Sequence, residues 1–220
     1  MNNNMVFIVV DTPASYNTWN DLKLIRISKE IESPKIKKSA VSIEGRDGEY
    51  DLSEYFGEIK FENRKLSFSF VCKEVFSDFD SIYTEVLNKI HGKKVKVVLP
   101  EDSEFYYVGR CEVNTWKTDK TIGSLVIDVN AEPYKYKHEK TVVSVPVTSE
   151  AQEIILTNER MSVVPEVTCT GETTITFGNI THTMNAGTHI FADILLKQGE
   201  NVFTVSGSGT LTVLYQEGAL

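Results

Sequence analysis

The chain has 220 residues, 41% hydrophobic and 25% charged, with a formal net charge of −8. That is enough polypeptide for one large domain or two modest ones, and the composition is ordinary for a globular protein. The acidic balance excludes a general nucleic-acid binder, which would carry a basic patch.

The first apolar run, Met5 to Val10, comes after "MNNN" without a basic residue and stops at Asp11 and Pro13. It is too short for the apolar core of a signal peptide, and no stretch approaches the roughly 20 apolar residues that cross a bilayer. We therefore expect synthesis and first folding in a cytoplasm, with no signal peptide and no membrane partner. Cys72, Cys111 and Cys169 are widely spaced and form no CxxC pair or Cys/His cluster, so they read as small buried hydrophobes in a reducing compartment.

The stretch "VSIEGRDGEYDLSEYFG", Val41 to Gly57, crowds three glycines and six charges behind a short apolar alternation. Three readings compete. A calcium loop needs oxygen ligands at alternate positions ending in a glutamate, and Glu44, Asp47, Glu49, Asp51 and Glu54 miss that spacing. A phosphate cradle needs GxxxxGK[ST] or GxGxxG ahead of a helix N-terminus, and neither motif is present. A turn survives, with Asp47-Gly48 supplying the positive φ between the strand "AVSI" and the segment after it. The "IEGR" at Ile43 to Arg46 matches a familiar engineered protease site; deep in the chain and untagged, it reads as coincidence.

"KLSFSFVC" (Lys65 to Cys72) alternates as a strand, with Leu66, Phe68 and Phe70 on one face. From Phe79, apolar residues recur at Ile82, Tyr83, Val86, Leu87 and Ile90, the spacing of a helix over about 79–91. Asp78 or Asp80 can cap its start and Gly92 can end it in the left-handed position. "KKVKVVLP" and "EFYYVGRCEVNTW" then flank an acidic hairpin tip, Glu101, Asp102 and Glu104, and "SLVIDVN" comes after a turn at Thr118 to Gly123.

Composition shifts near "YKYKHEKTVVSVP". Residues up to Lys137 hold 20 Lys+Arg and 22 Asp+Glu; from His138 onward the numbers are 3 and 9. Fourteen of the twenty threonines lie after His138, whereas both tryptophans, Trp19 and Trp116, precede it. We read an N-terminal domain at 1–137, a linker at 138–146 and a C-terminal domain at 147–220, whose short alternating runs ("TTITF", "TLTVLY") predict a small β-sandwich.

No reactive constellation emerges. His91, His138, His182 and His189 lack metal-ligand spacing, no GxSxG occurs, and no cysteine has a histidine close in sequence. Glu101, Asp102 and Glu104 could pose as paired carboxylates but read better as a solvated tip. Phe105, Tyr106 and Tyr107 read as core and interface. The sequence thus predicts no enzyme, with catalytic, cofactor and metal residues all none.

Taken together, "IEGRDGEYDLSEYFGEIKFENRKLSFSF", "LNKIHGKKVKVVL", "YYVGRCEVNTWK", "EPYKYK" and "LKQGENVFTVSGSGTLTVLYQEG" resemble, in order, the distal tail (Dit) proteins of long-tailed bacteriophages. The resemblance spans roughly residues 22 to 220. It implies a mainly β chain: an N-terminal split β-barrel or sandwich with one helix, then a small galectin-like jelly-roll sandwich. It also implies a structural virion protein of the tail tip or baseplate, phage or prophage in origin. Its homohexameric ring would join the tail tube protein to the tail-tip protein and, beyond it, a receptor-binding protein, with DNA only passing through the channel. Arg46 and Asp47 would then shape the ring-forming domain, through a subunit contact or an intramolecular pair. The C-terminal part is shorter than in many members, so no elaborated receptor-binding arm is expected. Two other readings stay open: a carbohydrate-binding module, and the equivalent ring of a phage-derived contractile particle. Against sugar binding, the C-terminal part has no tryptophan, and its own core needs Phe177, Phe191, Phe203 and Tyr215.

Overall fold

The computed structural model describes residues 4–12, 14–55, 57–72, 78–119 and 121–220. Pro13, Phe56, Lys120 and most of "MNNN", named above, lie outside the described residues. The chain divides into two compact units, Met1–Lys135 and Tyr136–Leu220. Both are built from strands, so the mainly β reading holds.

In the first unit the strands are β1 (Val6–Val9), β2 (Ser15–Asn17), β3 (Leu24–Ile31), β4 (Ala40–Ser42), β5 (Glu49–Asp51), β6 (Arg64–Cys72), β7 (Lys94–Leu99), β8 (Asp102–Thr118) and β9 (Gly123–Lys137). Seven of them form one sheet in the order β2-β1-β7-β8-β9-β6-β3. Alternation sets its two faces. Leu66, Phe68 and Phe70 of β6 are fully buried, as are Ile127 and Val129 of β9 and Cys111 of β8. Each such aromatic or aliphatic side chain contributes about 1.5–3 kcal/mol by leaving water. The residues between them, Lys65 and Ser67 on β6, Glu112 and Asn114 on β8, Asp128 and Asn130 on β9, point the other way.

The helix α1 (Phe79–Ile90) forms where the spacing predicts it and buries Phe79, Ile82, Val86 and Ile90. Asp78 caps it, its carboxylate accepting from the Ser81 N–H at 3.1 Å. Gly92 lies at φ +73°, the left-handed geometry that ends the helix. Trp116 stacks on Tyr83 at 4.9 Å and donates its indole N–H to Asp80 at 3.2 Å, tying α1 to β8.

The second unit is a sandwich of two four-stranded antiparallel sheets, ordered β10-β17-β12-β15 and β11-β16-β13-β14. Its strands are β10 (Thr141–Val147), β11 (Gln152–Asn158), β12 (Glu166–Cys169), β13 (Thr173–Phe177), β14 (Ile180–Met184), β15 (Gly187–Ile190), β16 (Gly199–Gly207) and β17 (Gly209–Tyr215). Leu156, Val167, Ile175, Phe203, Val205, Leu211 and Val213 fill the core completely buried. Threonines of both sheets face outward in register, apart from the buried Thr173. Ser144, Thr212, Thr168 and Thr188 make one row across all four strands of the first sheet. Its outer pairs close at 3.0 and 2.9 Å. The second sheet repeats the device with Thr174–Thr183 at 2.9 Å and Thr176–Thr181 at 3.0 Å.

One expectation changes. Most of the stretch read as a linker, 138–146, is strand: from Thr141 to Val147 it pairs residue by residue with β17. Its alternating valines, which the change of composition masked, supply the half-buried face of an edge strand.

Packing at β8 and β9 yields a direct test. A Cβ on Gly109 would lie 2.5 Å from the Asn130 carbonyl oxygen and 2.7 Å from the Ala131 Cα, both backbone. Gly109→Ala must therefore push β8 from β9, and we expect a loss of about 1–3 kcal/mol. Denaturant titration monitored by tryptophan fluorescence reads this in the first unit, which holds both tryptophans.

Candidate functional site

Two features of the first unit stand apart from its core: an exposed arm and a polar concavity. The arm fills the connection from β3 to β6. From Lys35 to Asp51 every residue is exposed, and no described residue between 32 and 63 is buried. Its legs are held to each other by backbone hydrogen bonds: Glu62 N–H to the Lys35 carbonyl at 2.7 Å, Lys37 to Lys60 at 2.8 Å, and Leu52 to Ser39 at 2.7 Å. Beyond them β4 and β5 pair through Ala40–Asp51, Val41–Tyr50 and Ser42–Glu49. The tip, residues 43–48, is the expected turn, with Gly45 at φ +83° and Gly48 at φ +78°. Arg46 lies over the Tyr50 ring at 4.3 Å.

The arm leaves apolar surface in water. Ile36 is 45% exposed, Val41 48%, Ile43 49% and Tyr50 50%. Of the acids weighed for a calcium loop, Asp51 accepts from the Ser53 N–H at 2.9 Å, and Ser53 holds its carboxyl below the ordinary range. Asp47 and Glu44 sit in the exposed tip.

The concavity lies on the outward face of β6, β8 and β9, encloses about 500 Å³ and is lined by Lys65, Arg110, Glu112, Asn114, Asp128 and Asn130. Asp128 is its centre and only 9% exposed. One carboxylate oxygen, Oδ2, accepts from Lys65 Nζ at 2.7 Å and from Asn114 Nδ2 at 2.5 Å. The other, Oδ1, is buried without a hydrogen-bond partner. Burial alone would raise the Asp128 pKa, but the hydrogen bonds from Lys65 and Ser67 and the Lys65 charge hold it below the ordinary range. Arg110 donates to the Gly92 carbonyl at 2.6 Å.

The remaining sequence candidates fall elsewhere. Cys72, Cys111 and Cys169 are free and buried, and burial pushes the Cys111 thiol up to about 12, far from a reactive thiolate. His91 caps α1 and accepts from the Val113 N–H at 3.0 Å. His182 bonds Asp193 at 2.9 Å and stacks on Phe191 at 4.1 Å, and His189 donates to the Asn185 carbonyl at 2.9 Å. His138 lies just past β9. Among the described residues no three His, Cys, Asp or Glu side chains group as metal ligands. Phe203 and Tyr215 are buried in the sandwich, and Phe177 and Phe191 pack against its core.

The acidic tip needs correcting. Glu101 is not merely solvated: it bonds Arg26 at 3.1 Å through both carboxylate oxygens and also meets Lys29, while Asp102 pairs with Lys135 at 2.7 Å. The signal was present in the sequence as Arg26 within an otherwise apolar run, but its partner lies 75 residues away. Burial works against the Glu101 charge, yet the hydrogen bonds from Lys29 and Arg26 lower its pKa from 4.5 to about 2. Because the folded value is depressed, this stabilisation is complete above about pH 4.5 and is lost as pH falls toward 2. With a third of the Glu101 side chain exposed, screening reduces it to about 1–2 kcal/mol. Glu101→Gln should lower stability at pH 7 by that amount and flatten the acid limb of an unfolding-versus-pH curve.

No protein-family description matches the chain, and no curated protein matches it in sequence. Among solved structures it is similar to the crystal structure of the SPP1 Dit protein (gp 19.1), described as a paradigm of the hub adsorption apparatus in phages infecting Gram-positive bacteria. The likeness has a TM-score of 0.67 at 14% identity and covers 98% of this chain and 99% of that one. At such identity the comparison speaks for the fold: from end to end, this chain has the fold of a phage hub protein.

Proposed function

We propose that the chain is a structural protein of a phage tail tip, built into a homohexameric ring between the tail tube and the host-adsorption apparatus. In this reading the first unit forms the ring, DNA passes through its channel, and the second unit serves as a spacer or docking surface for neighbouring tail proteins. The observation that carries it is the full-length likeness to a hub adsorption protein, both units included. The arm supports it, since an exposed segment with four apolar side chains about half exposed is what an assembly interface leaves uncovered in a single copy.

A tail-tip ring needs no chemistry, and the buried thiols and scattered histidines fit that role. Phe177, Phe191, Phe203 and Tyr215 lie in or against the core of the second unit, which favours docking over sugar recognition.

Cyclic rings join two different, complementary faces of each copy. Light scattering across micromolar and higher concentrations, with negative-stain imaging, should show a hollow six-fold ring. A strict monomer at every concentration, with or without the adjoining tail proteins, would remove this reading.

A further inference from the structure

Asp47 and Gly48 stand together in the turn at 43–48, both exposed, and the rest of the chain engages neither. Among the described residues, the Asp47 carboxylate accepts no hydrogen bond and joins no ion pair, and the Gly48 N–H has no acceptor. An aspartate carboxyl carbon and the next backbone nitrogen are one bond short of a five-membered ring. Folded structure ordinarily prevents that bond by keeping the N–H and the carboxylate in hydrogen bonds of their own.

We propose that Asp47–Gly48 is a site of spontaneous self-modification, at which succinimide formation converts Asp47 to an isoaspartyl residue in the folded chain. The inference concerns the single chain and stands apart from the ring reading.

The chemistry needs only water. The Gly48 nitrogen attacks Cγ of the Asp47 carboxyl group in its acid form; a C–N bond forms, and the hydroxyl leaves with the amide proton as water. Water then adds to one of the two ring carbonyls. Opening at the side-chain carbonyl restores aspartate. Opening at the main-chain carbonyl leaves the backbone running through Cγ, longer by one methylene group. No atom is gained or lost overall, and the negative charge remains.

Three observations favour this dipeptide. The first is space: a Cβ built on Gly48 would meet nothing within 4 Å, so the ring has room to close. The second is freedom. Gly48 lies at φ +78° and, as a glycine, passes readily to other backbone conformations. The flanking strands β4 and β5 share three residue pairs and bury none of their side chains, so opening them costs little. The third is contrast with the two aspartates that precede a serine. Asp80 accepts the Trp116 indole N–H at 3.2 Å, and the Ser81 N–H is engaged by Asp78 at 3.1 Å. Asp102 pairs with Lys135 at 2.7 Å and belongs to β8.

The position of the change decides what it alters. Arg46 reaches over the Tyr50 ring at 4.3 Å, spanning the dipeptide, and an added methylene group changes the spacing of those two residues. No residue from Lys35 to Asp51 is buried, so the core of the first unit is untouched.

The test incubates the full chain in neutral buffer, below the concentration at which light scattering detects association. Isoaspartate is counted with a protein-isoaspartyl methyltransferase and labelled S-adenosylmethionine. Because the mass is unchanged, it is located by electron-transfer fragmentation of proteolytic peptides. The free peptide Ile-Glu-Gly-Arg-Asp-Gly-Glu-Tyr supplies the unrestrained rate. The folded chain should form isoaspartate at Asp47 at no less than about a fifth of that rate, and at Asp80 and Asp102 about tenfold more slowly or less. Asp47→Glu, whose side chain cannot close the five-membered ring, should lose the signal. A folded-chain rate below a fifth of the peptide's overturns the proposal. So does a signal that survives Asp47→Glu, or equal accumulation at Asp80 and Asp102.

Discussion

The first unit depends on the register of β6 between β3 and β9. With Leu66, Phe68 and Phe70 turned inward, Lys65, Ser67 and Ser69 can only turn outward, and the pairings Lys65–Asn130 and Ser67–Asp128 result. A slip by one residue would place three charged or hydroxyl side chains in the core and expose two phenylalanines. The polar concavity is thus the reverse side of the hydrophobic core. The same alternation that excludes water from one face assembles a lysine, an arginine, two carboxylates and two amides on the other.

Burial makes these polar groups consequential. Asp128 remains ionised because Lys65, Ser67 and Asn114 compensate its loss of water, and they still leave one oxygen unserved. Arg64 is in a related condition. It lies over Tyr107 at 4.8 Å on the core side of β6, with Nε and Nη2 buried and unpartnered, and desolvation lowers its pKa. Arg26 is better served, since Glu101 answers it across 75 residues of sequence. Charge in this unit is therefore organised in short-range pairs, and the net charge of the chain tells little about where a partner would bind.

How much of this was legible in the sequence depends on the range of each interaction. The helix could be read whole, because its apolar spacing, its Asp78 cap and its Gly92 terminus are local. So could the tip at 43–48, which glycine conformations dictate. Strand β8 could be read almost whole, whereas β9 reads as the shorter run "SLVIDVN", since Pro133 and the half-buried residues after it interrupt the alternation. The legs of the arm bury nothing and so carried no periodic signal. The concavity was beyond reach altogether: Lys65, Asn114 and Asp128 are scattered over three strands, and only the register of the sheet brings them together. The change of composition near residue 138 is real in the sequence, yet the units divide at Lys135 and Tyr136, within β9.

The hydroxyl rows of the sandwich give its outer faces a distinct relation to their medium. In Ser144–Thr212, Thr168–Thr188, Thr174–Thr183 and Thr176–Thr181, each hydroxyl finds its partner in a neighbour on the same sheet. The paired hydroxyls keep these rows wettable with neutral groups, while Glu153, Glu166 and Glu200 place negative charge on the same outer faces. The concavity is held by charge, through Lys65 and Asp128, and responds to ionic strength. The hydroxyl pairs, being neutral, hold strand to strand in a way that salt does not weaken, and in this they differ from the ion pairs of the first unit.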